Sequence, residues 1–194
     1  MAAMILHFVR HGRAKDVDGR CIGHTDQPLA HEGRTELKAL RREFASSHAQ
    51  FVSSDLRRAR ESAGRLTTAP VVFDPRLREM YFGSWEGKTW AELEARDGPA
   101  LEEWMQDWTT IRAPDGESFS DVIVRVGSWL ASVPRDGPDL VVVAHAGSIR
   151  AAAVLLLDLP PARAFSLAVD HAHVSSFSLS SQSATLLRWN SRGL

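Results

Sequence analysis

The chain has 194 residues, 44% hydrophobic and 24% charged, with a formal net charge of -1. That is long enough for a well-buried core in one domain, and the even charge argues against a nucleic-acid binder. A single cysteine, Cys21, excludes an intrachain disulfide and a thiolate metal cluster and fits a reducing, cytoplasmic setting.

The apolar run from Met4 to Val9 starts almost at once, so no signal segment is expected, and no run approaches the ~20 apolar residues of a membrane span. It reads as a buried strand that stops at Arg10-His11-Gly12, followed by a glycine-punctuated loop from Gly12 to Pro28. Leu37, Leu40 and Phe44 recur at helical spacing and predict a helix from about His31 to Ser47. Gln50 to Ser53 is a short strand, and Asp55 is placed to cap a helix running to about Leu66, which Pro70 closes before a strand at Val71 to Phe73. From Tyr81 to about Glu117 acidic helical turns carry Trp85, Trp90, Trp104 and Trp108, broken by Gly98-Pro99 and Pro114-Asp115-Gly116. This stretch, about 81–117, reads as a small helical insertion over the site. Trp104 and Trp108, four apart, are expected on one helix face packing it onto the core; core filling is the default for these tryptophans, and the alternative is that Trp85 or its neighbours line the mouth and stack on a flat substrate.

Ser118 to Val133 predicts an amphipathic helix, Leu140 to Ala144 a central strand that ends at His145-Ala146-Gly147, and Ser148 to Leu157 the returning helix. Three β-rich stretches remain, Phe165 to Val169, Val174 to Leu179 and Ala184 to Trp189, which complete the sheet with one of them antiparallel. The alternation predicts an α/β fold: a three-layer sandwich, with a mostly parallel central sheet, helices on both faces, and residues 1–194 forming one domain.

Strands called for by this pattern end near Arg10-His11, Ser54 to Ala59, Arg78-Glu79 and His145, where open α/β sheets collect their ligands. Brought together, these residues answer the needs of phosphoryl transfer from a monoester. Guanidinium forks from Arg10 and Arg58 can grip the phosphate and the spread charge of its transition state. A neutral imidazole with one ring nitrogen held by a carbonyl presents the other as a nucleophile, which suits His11, with His145 as the second imidazole at the oxyanion. Glu79 is the candidate to protonate the leaving oxygen and then activate water, because a carboxyl beside a phosphate dianion favours holding a proton. His24, His31, His48, His171 and His173 read as surface or loop residues, and no carboxylate-histidine cluster has the spacing of a metal site.

Arg10-His11-Gly12, Ser54-Asp55-Leu56-Arg57-Arg58-Ala59, Leu77-Arg78-Glu79 with Phe82 to Gly87, Pro114 to Ser118 with Arg125, and His145-Ala146-Gly147 together resemble the histidine phosphatase superfamily, the phosphoglycerate-mutase-like group. The resemblance implies a metal-free, cofactor-free phosphohistidine mechanism, with His11 as nucleophile, Arg10 and Arg58 as phosphate clamps, Glu79 as acid and base, and His145 as second imidazole. Within that group, the loop Gly19 to Leu29 is most similar to α-ribazole phosphatases. Gly23 and Thr25 in that loop and Ala146 after the second histidine are expected to contact substrate. Two departures stand out: Arg13-Ala14-Lys15 follows the first triplet where many relatives have polar residues, and Ala146 replaces a common glycine. The expected function is a metal-independent phosphomonoesterase for a small phosphorylated metabolite, with no nucleic-acid or membrane partner and an open oligomeric state. A mutase and a non-catalytic phospho-ligand binder are the alternatives, and a short, acidic insertion with only Lys88, Arg96 and Arg112 as basic residues favours hydrolysis over transfer.

Overall fold

Alternating side chains along the central strands divide the apolar interior into two cores. In β1 (Met4–Arg10), Met4, Leu6 and Phe8 enter one core and Val9 the other; in β4 (Leu140–Ala144), buried throughout, Val142 and Ala144 share the first and Val141 and Val143 the second. Helices α4 (Phe119–Ala131) and α5 (Ala146–Leu156) close the first core with Val122, Val126, Trp129 and Ile149. Helices α1 (His31–Phe44) and α2 (Arg57–Leu66) close the second with Leu37, Leu40, Ala63 and Leu66. The computed structural model, which describes residues 3–44 and 48–193, is thus the expected three-layer α/β sandwich.

Strands β2 (Gln50–Ser53), β3 (Val71–Phe73), β5 (Val174–Leu179) and β6 (Ala184–Ser191) complete a six-stranded sheet in the order β3-β2-β4-β1-β5-β6. The pairs β1–β4, β2–β4 and β2–β3 are parallel, whereas β5 runs antiparallel to both β1 and β6, so β5 alone is reversed. Among the described residues, no helix is long and apolar enough to cross a membrane.

Several local expectations are corrected. Phe165 to Val169 is no strand: Pro160-Pro161 removes two backbone donors, the chain turns through a 3-10 segment, Pro161–Ser166, and Phe165 is left 56% exposed. Asp55 caps nothing, because both its oxygens take the Arg78 guanidinium at 2.7 and 2.5 Å, and Leu56 stands at the start of α2 without a side-chain cap. Helix α5 begins at Ala146, two residues early, since the Ser148 hydroxyl already accepts the His145 N–H at 3.1 Å. The end of the first predicted helix at Ser47 lies outside the described residues.

The tryptophan-rich stretch also differs. Helix α3 (Trp90–Gln106) passes Gly98-Pro99 with a kink at Asp97, after a Thr89–Glu92 capping box starts it. It ends before Trp108, which therefore shares no helix face with Trp104. Trp85 is fully buried, its indole N–H donating to Asp97 at 3.1 Å, so it stands in the core rather than at a pocket mouth.

Candidate active site

Strand register brings the two histidines together. Arg10 lies opposite Ala144 in the β1–β4 ladder, so His11 and His145 emerge side by side; the His11 N–H bonds the Ala144 carbonyl at 3.0 Å, and the two rings lie 4.9 Å apart. On the other flank of β4, β2 ends with Ser53 opposite Val143 and delivers Ser54 to the same level. Separate segments of sequence thus reach one point because parallel strands end together.

A backbone carbonyl sets the tautomer of the His11 ring. The Gly12 carbonyl, 2.7 Å from His11 Nδ1, can only accept, so Nδ1 carries the proton and Nε2 keeps a lone pair, to which Arg58 Nε–H donates at 3.2 Å. The Ser54 hydroxyl receives the Leu56 N–H at 3.3 Å and pairs with His145 Nε2 at 2.9 Å. The other ring nitrogen of His145, Nδ1, is buried without a hydrogen-bond partner. Burial above all, then the Arg58 charge, holds both imidazoles well below their ordinary pKa of 6.5.

The arginines carry buried charge without a carboxylate partner among the described residues. Arg58, 2% exposed, also donates from its terminal nitrogens to the carbonyls of Gly23 (2.6 Å) and Thr25 (2.9 Å), which leaves one N–H on each of them. Arg10 donates to the Val169 carbonyl at 2.6 Å, while its Nε is buried and unpartnered, and burial brings its pKa down to about 10. Two unpartnered buried nitrogens, Arg10 Nε and His145 Nδ1, therefore sit on residues beside His11. A buried donor without an acceptor costs roughly 1–3 kcal/mol, and an anion against Arg10 would relieve that cost.

Glu79 reaches the same place from the other side. Its Oε1 accepts the N–H groups of Met80 and Gly147, each at 2.9 Å, which puts the carboxylate against the first turn of α5. Such closeness needs glycine: a Cβ at 147 would lie 2.1 Å from Glu79 Oε1. Gly147 thus serves the close approach of the Glu79 carboxylate to α5. The backbone around Glu79 is clamped by Arg125, which bonds the carbonyls of Arg76, Arg78 and Glu79 at 2.7–2.9 Å and is itself gripped by the Glu117 carboxylate.

Gly23 and Thr25, expected to touch substrate, hold Arg58 through their carbonyls and Glu86 through their N–H groups. The Glu86 carboxylate accepts the N–H groups of Gly23, His24, Thr25 and Phe82 as well as the Thr25 hydroxyl. Burial works to raise its pKa, but these bonds outweigh that and hold it below the usual carboxylate range. Glu86→Gln exchanges one acceptor oxygen for a donor that meets N–H groups head-on, so a loss of roughly 2–4 kcal/mol is expected, read as a lowered denaturation midpoint. An unchanged midpoint would show that the loop holds without this carboxylate. Ala146, 8% exposed at the first position of α5, is absent from the cavity walls.

Two adjoining cavities open here. One of about 230 Å³ is walled by Arg10, His11, Arg58, Glu79 and His171, with Ile22 and Arg20 at its rim. The other, about 200 Å³, lies beyond Glu79, with aromatic side chains among its walls beside Arg20 and Arg150. His171 stands in a loop, its ring 5.3 Å from that of His11, and its nitrogens have no hydrogen bond among the described residues. The backbone fixes it there: Ala172, in left-handed conformation (φ 53°), donates its N–H to the Arg10 carbonyl at 3.0 Å. The lone sequence signal was a His-Ala-His run, which carries no information on which strand end it approaches. Among the described residues, no group of three or more His, Cys, Asp or Glu could hold a metal ion.

A family model described as histidine phosphatase superfamily (branch 1) matches residues 6–192. The chain belongs to that superfamily. This histidine phosphatase is 30% identical over 200 residues to an adenosylcobalamin/α-ribazole phosphatase of Salmonella typhimurium, covering 98% of each chain. It is 39% identical over 178 residues to a glucosyl-3-phosphoglycerate phosphatase of Mycobacterium tuberculosis, covering 84% of this chain and 79% of the relative. Its fold superposes on the crystal structure of the α-ribazole phosphatase from Shigella flexneri with a TM-score of 0.90 at 29% identity, over 98% of both chains.

The depressed imidazoles of this histidine phosphatase have a consequence for stability. Burial, followed by the Arg10 charge, pushes His171 down to about 3, and His11 and His145 are likewise held below 6.5. The unfolded chain therefore takes up protons first as pH falls, so stability present above 6.5 is lost progressively below it. A melting temperature that drops between pH 7 and 5, with a shallower slope in His171→Gln, is the expected result. A flat or rising profile would contradict the assignment of neutral, buried rings.

Proposed function

We propose that this histidine phosphatase hydrolyses small phosphate monoesters without metal, through a phosphohistidine on His11. The observation that carries the reading is the His11 imidazole, whose Nε2 lone pair is met by Arg58 Nε–H, on the wall of a cavity that Arg10, Arg58, Glu79 and His171 complete. In the bound state Arg10, Arg58, His145 and His171 donate to the three non-bridging phosphoryl oxygens. Nε2 of His11 attacks phosphorus, the ester P–O bond breaks, and the proton on Glu79 passes to the leaving oxygen, releasing the alcohol. Water then attacks the phosphohistidine, gives its proton to Glu79 and frees inorganic phosphate and the ring. Of the two carboxylate oxygens, Oε2 has only a 3.2 Å contact to the Gly147 N–H and is the one that carries the proton.

Hydrolysis is preferred over transfer between positions of one substrate because two basic residues of the 81–117 stretch are already neutralised: Arg96 by Asp97 (2.5 Å) and Arg112 by Asp121 (2.7 Å). A cytoplasmic setting suits the lone buried thiol of Cys21. The names of the relatives make α-ribazole phosphate and glucosyl-3-phosphoglycerate the first esters to try. Steady release of phosphate from alkyl and aryl esters with chelator present is the expected outcome, and no release from any of them would end the proposal.

Ser54 gives a finer check. It holds His145 Nε2 at 2.9 Å and is absent from the cavity wall, so Ser54→Ala should lower kcat by about tenfold while KM changes little. A selective rise in KM would assign Ser54 to substrate binding instead.

A further inference from the structure

We infer that the groove between α1 and α2, over the second core, binds a short chain of linked phosphates at a site separate from the active site. Its walls are Arg34, Lys38 and Arg41 of α1 and Glu61, Gly64 and Arg65 of α2, with buried Leu37 as the floor, and none of these residues lines the catalytic cavity. The space is about 530 Å³, within the range of small-ligand sites. Gly64 keeps it open, since a Cβ there would meet nothing within 4 Å.

The helical repeat builds the charge. Residues 34, 38 and 41 are spaced by four and three, so they share one face of α1 and spread their cations over ~10 Å of helix. Arg65 joins them from the last turn of α2. The single carboxylate in the groove is already committed: Glu61 Oε1 takes the Arg57 guanidinium at 2.7 Å, Oε2 takes the Leu29 N–H at 3.1 Å, and Arg34 stands 4.0 Å off. Lys38, Arg41 and Arg65 have no ion pair or side-chain hydrogen bond among the described residues.

Helix electrostatics account for only part of this. Cations in a last turn offset the helix dipole, which explains Arg41 and Arg65. That field dies away within a turn, and Arg34 sits near the opposite end of α1, where it disfavours positive charge. Like charges at i and i+4 repel as well. Elsewhere on this surface arginines are neutralised by a neighbour, as Arg76 is by Asp74 and Arg112 by Asp121. An anion with three or more charges lying along the stripe offsets every one of these costs. Guanidinium forks match phosphate oxygens bidentately, and no wall is an aromatic ring on which a base could stack. An extended acidic peptide sets the side chains of one face about 7 Å apart, which brings only two carboxylates within the stripe, whereas linked phosphates carry their charges at closer spacing.

The test is titration calorimetry with tripolyphosphate at about 0.15 M salt, on His11→Ala protein, which keeps the active-site arginines. Adding Arg41→Gln and Arg65→Gln should weaken binding at least about tenfold, while the same pair in an otherwise wild-type protein leaves its melting temperature and its kcat/KM for a nitrophenyl ester unchanged. Gly64→Leu fills the groove without altering charge and favours the helix, and should weaken binding comparably. Orthophosphate, too short to span the stripe, should show at least about a tenfold weaker affinity for the component lost in the double variant. ATP identifies the source: tighter binding than tripolyphosphate assigns the chain to a nucleotide and weaker binding to free polyphosphate, and both results support the site. Undiminished affinity in the double variant puts the anion in the active site and overturns the inference, as does a lack of binding. Unchanged binding in Gly64→Leu places the anion on open surface and overturns the groove. Equal affinity of a hexaglutamate peptide for the same component overturns the choice of phosphate and marks this face as a docking surface for an acidic protein.

Discussion

Alanine at position 11 is expected to reduce phosphate release by on the order of 10⁴-fold or more, and to remove all acid-labile, base-stable phosphate from protein quenched during turnover. Both effects follow from one atom. With the Nδ1 proton committed to the Gly12 carbonyl, Nε2 is the ring nitrogen free to bond phosphorus, and burial keeps it unprotonated. Arg58, which now donates to Nε2, can turn its Nε–H to a phosphoryl oxygen, so the nucleophile is released as substrate enters. A variant that still turned over at the wild-type rate, or a wild-type protein never phosphorylated at this ring, would leave the mechanism without its central step. His171→Ala separates a contact to the phosphate from a structural role: KM for phosphate esters and the inhibition constant for inorganic phosphate should both rise several-fold, as one hydrogen bond to an anion is worth about 1.5–3 kcal/mol before discounting for partial exposure.

Gly147→Ala is the second large effect. The added methyl would sit 2.1 Å from Glu79 Oε1, and because that carboxylate is pinned by the Met80 N–H and by the Arg125 clamp on its own carbonyl, it must leave the hydrogen bond to α5. Loss of a positioned general acid is worth about 10²–10⁴ in rate, so kcat for alkyl phosphates should fall by at least about 10²-fold. A nitrophenyl ester, whose leaving group departs without a proton, should lose far less. Glu79→Gln should show the same dependence on leaving group. The helix itself gains from the change, since alanine exceeds glycine in helix propensity by about 1 kcal/mol, so lost activity with an undiminished melting temperature separates displacement of the acid from misfolding. Equal losses on alkyl and nitrophenyl esters would remove Glu79 from the role of proton donor.

Legibility in the sequence followed the range of the interaction involved. The central strands could be read because their signal is local: Leu140 to Ala144 is apolar at every position, and only a strand buried on both faces needs that. Phe165 to Val169 carried a similar apolar content but follows two prolines, whose missing N–H groups outweighed it. Asp55 looked like a cap by position alone, while its actual partner, Arg78, is 23 residues away. The acidic residues near the site read alike in the chain; Glu79 against α5, Glu86 inside a ring of N–H groups and Glu92 in a helix cap differ only in what surrounds them.

The amino-acid sequence by itself determined which residue types could carry phosphoryl chemistry and that they fall at strand ends, because apolar runs and glycine stops are encoded within a few residues of each histidine. Only the tertiary structure decided which ring nitrogen holds a proton, that His171 joins the site, and which aromatic rings face the cavity beyond Glu79. Those depend on hydrogen bonds and contacts between segments far apart in the chain, and such contacts leave no local pattern for a linear reading to find.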